Sequence, residues 1–239
     1  MRAIITSLLL ATLVAGCASP TPPGEQKRGA GWYTVKRSDT LYSIAWRYGL
    51  TSEQLADWNN IDVNAPIHPG QRLRLVKPHG YTAPAESTGA TVAQNKKQPT
   101  TGKSSSSSKS TPMTTIDPGK WVWPTTGKPR NTFLASQLDR RGVDIAGKLG
   151  QSVVAAADGK VVYSGNGLAG YGNLIIIKHS ETYLSAYAYC RERLVEEGMS
   201  VKAGRQVATM GEKDNIAQLH FQIRRNGKPV DPLKYLPRQ

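Results

Sequence analysis

The sequence predicts a multidomain chain: a small βααβ domain and a mostly antiparallel β domain, joined by a disordered linker. Three observations carry this. Residues 82–119 hold no aromatic residue and no Leu, but include Lys96, Lys97 and the serine run 104–108, so they bury too little apolar area to offset the entropy of ordering. Residues 32–76 set apolar side chains at helical spacing between two short β-rich ends. Residues 120–239 carry many short runs of β-formers broken by glycine turns, with almost no helical period.

The chain opens with Arg2 and an apolar stretch over 3–14, the charge and length of an export signal and too short to span a bilayer. That stretch ends in Val14-Ala15-Gly16-Cys17, which resembles the lipobox of bacterial lipoproteins. The resemblance implies a signal peptide over 1–16, cut before Cys17, and acyl chains (palmitate among them) on Cys17. Ala18 and Ser19 follow instead of Asp, which implies sorting to the outer membrane, with the protein facing the periplasm. Residues 17–31 are rich in Pro and Gly and read as a tether.

In the small domain, Tyr33-Thr34-Val35 reads as a strand, and Ser38-Asp39-Thr40 as a turn and helix cap. Leu41, Ile44, Ala45 and Tyr48 mark a first helix, stopped by Gly49. Thr51 or Ser52 caps a second, with Leu55, Ala56 and Trp58 on one side and Asn59-Asn60 at its end. Pro69-Gly70 turns the chain into the strand Leu73-Arg74-Leu75. Residues 32–76 resemble the LysM domain, through Tyr33-Thr34-Val35, Asp39-Thr40-Leu41, Ile44-Ala45, Asn59, and Ile67 to Leu73. Ser38 stands where that family has Gly, a departure that strains the turn. The resemblance implies binding to N-acetylglucosamine chains, mainly peptidoglycan, with Asp39, Thr40, Leu41, Asn60 and Ile61 as glycan contacts. Asp39 and Thr40 equally suit plain helix capping, and Trp46 and Trp58 suit core or groove-edge packing.

The linker then runs over 77–119; a flexible chain of the length of 82–119 spans about 35 Å root-mean-square. In the large domain, Val153 to Ala156, Val161 to Tyr163, Leu174 to Ile177, Tyr183 to Tyr187, Val207 to Gly211 and Leu219 to Arg224 are strand signals. Residues 120–239 resemble the lysostaphin-type (LytM-like) zinc metallopeptidases that cut peptidoglycan cross-links. The resemblance is carried by Trp123-Pro124-Thr125, Gly142 to Ala146, Gly159 to Tyr163, Gly170 to Asn173 and Leu219 to Arg224.

That family holds zinc with a His and an Asp of one motif and the second His of a His-x-His pair. Two further His residues work on the water and the oxyanion. A catalytic zinc needs three protein ligands and an open position for water, whose pKa it lowers. Carried over, Asp144 and His220 remain as vestigial ligands, while Arg140, Gln218 and Tyr189 stand where His is expected. No metal or other cofactor and no catalytic residue is therefore expected, and the domain reads as a degenerate peptidase. Arg140 either sets its guanidinium in the cation's place beside Asp144 or points to solvent. The stretch from Gly211 to Gln218 is about one residue shorter than the family's loop, which puts that groove wall in doubt.

Composition agrees. Four histidines and two cysteines in 239 residues leave little for a multi-His centre or a disulfide scaffold. His179 reads as structural, His68 and His79 lie in and beyond the small domain, and Cys190 reads as a small buried hydrophobe. The charge of +14 favours anionic envelope polymers. Nucleic acid would suit the charge, but no such motif appears and the export signal argues against it.

The whole arrangement resembles the amidase-activator lipoproteins of Gram-negative envelopes. It implies a non-catalytic protein that binds peptidoglycan and activates a periplasmic N-acetylmuramoyl-L-alanine amidase at the division septum. The vacated groove then docks the partner through Arg140, Asp144, Tyr171, Tyr189, Gln218, His220 and Arg224, with Arg140-Arg141 and Arg224-Arg225 flanking it or forming a solvated face. A weak zinc endopeptidase with an altered site and a purely structural wall-binding lipoprotein are the two alternatives.

Overall fold

Thr40 and Thr51 each start a helix in the small domain by the same device. Each hydroxyl accepts from the backbone N–H three residues on, and the side chain there, Ser43 or Gln54, returns the bond to the threonine N–H. These capping boxes define α1 (Leu41–Tyr48) and α2 (Ser52–Asp57), lying between antiparallel β1 (Trp32–Thr34) and β2 (Arg72–Arg74). The expected βααβ order is what the computed structural model shows; it describes residues 31–81 and 119–239 apart from 132, 138 and 139. The signal, Cys17, the tether up to residue 30 and all but the ends of the linker lie outside the described residues.

Leu41, Ile44, Ala45, Leu55, Ala56 and Leu73 form the small core. Asn59 ties it off. Its amide donates to the carbonyls of Leu55 and Arg74 at 2.7 and 3.0 Å and accepts from Arg74 N–H at 2.6 Å. Ser38 adopts φ 65°, so the strain expected from a residue other than glycine there is present.

The large domain is built from antiparallel pairs: β3 (Val143–Ala146), β4 (Ser152–Val154), β5 (Gly159–Gly165), β6 (Asn173–Lys178), β7 (Tyr183–Arg193), β8 (Ser200–Val201), β9 (Gln206–Met210), β10 (Glu212–Lys213), β11 (Ile216–Arg225) and β12 (Lys228–Val230). The main path runs β10-β11-β7-β6-β5-β8, with β3 and β12 also on β11. The Val153–Ala156 run is strand only to Val154; Ala155 to Ala157 are fully buried beyond it.

The shortened stretch before Gln218 is a tight hairpin. Lys213 pairs with Ile216, and Asp214 and Asn215 take φ 52° and 62°, the left-handed pair that fits a two-residue turn. That wall of the groove is a two-residue hairpin.

The sheet is covered on both faces. Ile175, Ile177, Leu219, Phe221 and Ile223 point into the main core with Val143, Ile145 and Tyr187. Leu174 and Ile176 point the other way, into a second cluster with Tyr163, Leu168, Tyr171, Ala186 and Ala188. That is why Leu174 to Ile177 is an unbroken apolar run instead of an alternating one. The second cluster is closed by Trp46 of α1, so the two domains pack against each other. Cys190 is buried, and burial pushes its thiol up to about 12, which leaves it an inert apolar filler.

Candidate functional site

Strand β11 alternates strictly. Leu219, Phe221 and Ile223 enter the core, so Gln218, His220, Gln222 and Arg224 line up on the opposite face. The register with β3 sets His220 directly across from Asp144. Their side chains meet, His220 Nδ1 to Asp144 Oδ1 at 2.6 Å. The other carboxylate oxygen accepts from Asn131 Nδ2 at 2.7 Å, and Asp144 N–H donates to Asn131 Oδ1 at 2.8 Å. The second ring nitrogen of His220 lies 2.8 Å from the Gln222 side-chain amide.

Zinc is the group this fold family implies, and the donor set does not fit it. Both ring nitrogens of His220 are engaged: Nδ1 donates to the Asp144 carboxylate, and the lone pair of Nε2 faces the Gln222 amide instead of open space. The two oxygens of Asp144 are likewise held within the protein. Among the described residues there is no cluster of three His, Cys, Asp or Glu side chains that could hold a metal ion. A metal would have to break the His220–Gln222 contact and still find a third ligand.

The other expected groove residues divide. Tyr189 sits at φ 59° where β7 loses register against β6 and β9, so its ring turns over the site, 5.8 Å from the His220 ring. Its hydroxyl donates to Gly170 O at 3.1 Å. Tyr171 stands 6.3 Å from His220, ring to ring. Gln218 is buried at the head of β11. Arg140 closes a turn through its backbone, its carbonyl accepting from Leu134 and its N–H donating to Gln137. The Asp144 carboxylate meets His220, which the register of β3 on β11 places directly opposite it. Gln222 and Asn131 were missed by sequence reasoning. Period-two counting from His220 would have found Gln222; nothing local points to Asn131.

Arg224 corrects an expectation more sharply. It neither flanks an open groove nor forms a solvated face: it is 2% exposed. The Trp46 ring lies 3.4 Å from its guanidinium, and Nη1 donates to Trp46 O at 2.7 Å. Further along the same seam, Lys178 is paired with Glu53 of α2 at 3.0 Å and Glu181 at 2.7 Å. Burial alone would lower the lysine's pKa, but the two carboxylates outweigh it and hold the ammonium above its ordinary value. Arg47 reaches Gly167 O at 3.3 Å.

In the small domain three of the expected glycan contacts also have structural partners. Asp39 accepts from Tyr33 OH at 2.6 Å and Lys36 N–H at 2.8 Å and pairs with Arg47. Thr40 caps α1 and its hydroxyl lies 3.4 Å from Val162 O across the seam. Leu41 is buried in the core. Thr40 is the cap of α1, while Asp39 caps no helix and ties the turn before it to Tyr33, Lys36 and Arg47. Asn60 is exposed at φ 53°, and Ile61 is half-buried against the core. A cleft of about 700 Å³ runs between the 38–40 turn and Ser164, Asn166 and Arg193 of the large domain.

Comparison with known proteins agrees with both domains. Residues 33–76 match the LysM domain, and residues 139–232 match peptidase family M23. The chain is 41% identical over 240 residues to the lipoprotein YgeR of Escherichia coli K12, covering 99% of this chain and 93% of that one. It is 38% identical to the lipoprotein NlpD/LppB homolog of Pseudomonas aeruginosa, covering 99% and 92%. It is 40% identical to the murein hydrolase activator NlpD of E. coli K12, covering 87% and 68%.

Proposed function

From a chain that belongs to the family of NlpD/YgeR lipoproteins, with LysM and M23 domains, we propose a non-catalytic envelope protein that binds peptidoglycan and activates a peptidoglycan hydrolase. The hydrolase is an N-acetylmuramoyl-L-alanine amidase, and the outcome is the splitting of septal peptidoglycan between daughter cells. Cys17 carries the lipid that holds the protein at the outer membrane, facing the periplasm. The LysM domain keeps it on the wall through the loops around Asp39, Thr40 and Leu41 and around Asn60 and Ile61.

One observation carries the non-catalytic part. The two metal-ligand types left in the site, Asp144 and His220, are bonded to each other and closed off by Asn131 and Gln222. Arg140, Gln218 and Tyr189 occupy the positions where the peptidase family places histidine. Neither an arginine, an amide nor a neutral phenol replaces an imidazole as metal ligand or general base near neutral pH. Activator names among the relatives support the partner.

The test is release of labelled peptidoglycan by purified amidases, with and without this protein. The expected result is release by amidase plus protein well above amidase alone, none by the protein alone, and no metal at stoichiometric level in the purified protein. Chelator-sensitive cleavage by the protein alone would establish the endopeptidase alternative instead. A lack of stimulation across the host's amidases would leave a structural wall-binding role.

A further inference from the structure

The groove face of the sheet is covered at its Arg224 end by the LysM domain, and the cover is incompletely matched to what it covers. On α1, Leu41, Ile44, Ala45 and Tyr48 form one stripe toward the small core; Trp46 lies on the opposite side of the helix. It is 2% exposed and belongs to a cluster with Tyr163, Leu168, Tyr171, Leu174, Ile176 and Ala186 of the large domain. The backbones also meet: a Cβ added at Gly227, in the β11–β12 turn, would lie 2.8 Å from the Leu50 carbonyl.

The polar part of the seam is unfinished. Arg224 is fully desolvated, and burial pushes its guanidinium down to about 10. Among the described residues it makes no ion pair. Arg224 Nε, Trp46 Nε1 and Gln222 Oε1 are all buried without a hydrogen-bond partner there. A buried cation held by one carbonyl, an indole face and the Tyr171 side chain, with no carboxylate, is held less well than one with a carboxylate. At the other edge of the seam, Glu53 supplies Lys178 with such a carboxylate. The surface under the LysM domain thus combines an apolar floor, one cation already satisfied by an acid and one that is not. Tyr171 joins it to the groove, its ring lying 6.5 Å from Trp46 and 6.3 Å from His220.

We propose that this seam is an exchangeable contact: the LysM domain sits on the landing surface of the partner hydrolase, and a helical segment of the partner displaces it. The proposal rests on the activator reading above. The segment it fits is an amphipathic helix carrying an aromatic side chain for the Trp46 place and acidic side chains for Arg224 and Lys178. Such a helix completes the ion pair that the docked LysM domain leaves open, which is what lets it win the exchange. Docked and partner-bound states are mutually exclusive.

The test compares the full mature chain with Trp46→Ala and Gly227→Asn. The first removes the plug, and the second wedges the seam while keeping a residue that tolerates positive φ. A third pair, Glu53→Lys alone and with Lys178→Glu, breaks and then restores the ion pair. Docking is read by small-angle scattering and by hydrogen exchange in β6 and β7; function is read as labelled peptidoglycan released by a purified N-acetylmuramoyl-L-alanine amidase. Opened variants are expected to be more extended and to stimulate at limiting concentration by about fivefold or more, the gain from removing a mostly closed population. The charge swap returns both readouts toward wild type, and Arg224→Gln added to Trp46→Ala abolishes the gain. Opening with no change in a measurable stimulation overturns the exchange and leaves the activator reading intact. No stimulation by any form, with opening seen, defeats the activator reading and this proposal with it. Variants that stay as compact and protected as wild type overturn the exchange directly.

Discussion

Ser38 shows how a single residue records a local conflict. The turn into α1 needs a left-handed residue, and a side chain there costs energy that glycine does not spend. Ser38→Gly is expected to raise the stability of the small domain by up to about 1 kcal/mol, seen as a higher thermal midpoint; an unchanged or lower midpoint would show that the flexibility glycine adds to the unfolded chain cancels the relief. His179 records another. Its Nδ1 lies 2.7 Å from Asp158 O, its Nε2 2.7 Å from Ser185 Oγ, and Ser185 shares a hydrogen bond with Tyr187 OH, which accepts from Ala156 N–H. A neutral ring that donates from Nδ1 and accepts at Nε2 satisfies this chain without a buried charge. Burial accordingly pushes His179 from 6.5 down to about 4. Below pH 6.5 the unfolded chain therefore binds a proton that the folded chain refuses. Stability falls as pH drops from about 6.5 to about 4, by up to about 1.4 kcal/mol per unit from this group. Thermal midpoints measured across that range should decline in the wild type and decline less in His179→Gln. Equal slopes would mean that other groups set the acid response.

Among the elements, the small domain depends on a clamp that joins the end of α2 to β2. Asn59 makes three hydrogen bonds there, and Asn59→Ala leaves the Arg74 N–H and two carbonyls to find new partners. A loss of about 2–3 kcal/mol is expected, with faster exchange at the Arg74 amide. A loss below 0.5 kcal/mol would mean that water replaces the clamp. The elements were largely legible in the sequence, because each follows from local rules: the capping threonines, the stripe Leu41-Ile44-Ala45-Tyr48, the alternation of Leu219 to Arg224. The candidate site was less so. Asp144 facing His220 depends on register between strands 76 positions apart in the chain, which no local pattern encodes. Two weaker signals did point to the seam. Trp46 is off the helix's core stripe, and Leu174 to Ile177 lacks the polar alternation of a strand with one wet face. Each says that an apolar side is covered; neither says that the other is part of the cover, because Trp46 lies more than a hundred residues from Leu174 and from Arg224.

For the molecule as a whole, the seam ties the stability of one domain to the other. A LysM domain of fewer than 50 residues buries a small core and is marginal by itself. Trp46 adds nothing to that core but buries its whole ring on the large domain, so its burial stabilises the small domain only while the two are docked. The large domain has its own continuous core and needs the contact less. The coupling is therefore asymmetric, and calorimetry can read it. Trp46→Ala is expected to remove about 3 kcal/mol of docking free energy, the lower end for truncating a buried tryptophan, since the partly satisfied Arg224 returns to water when the seam opens. At roughly 4–8 °C per kcal/mol for a domain this small, the LysM transition should fall by about 10 °C or more and separate from the other, whose midpoint moves little. Raised salt should act in the same direction but weakly, because the Lys178 ammonium is largely buried and screened less than a surface pair. If both transitions fell together, Trp46 would be supporting the sheet itself. If neither moved, the two domains would be neighbours without energetic coupling, and the burial of Arg224 would have to be sustained by the large domain alone.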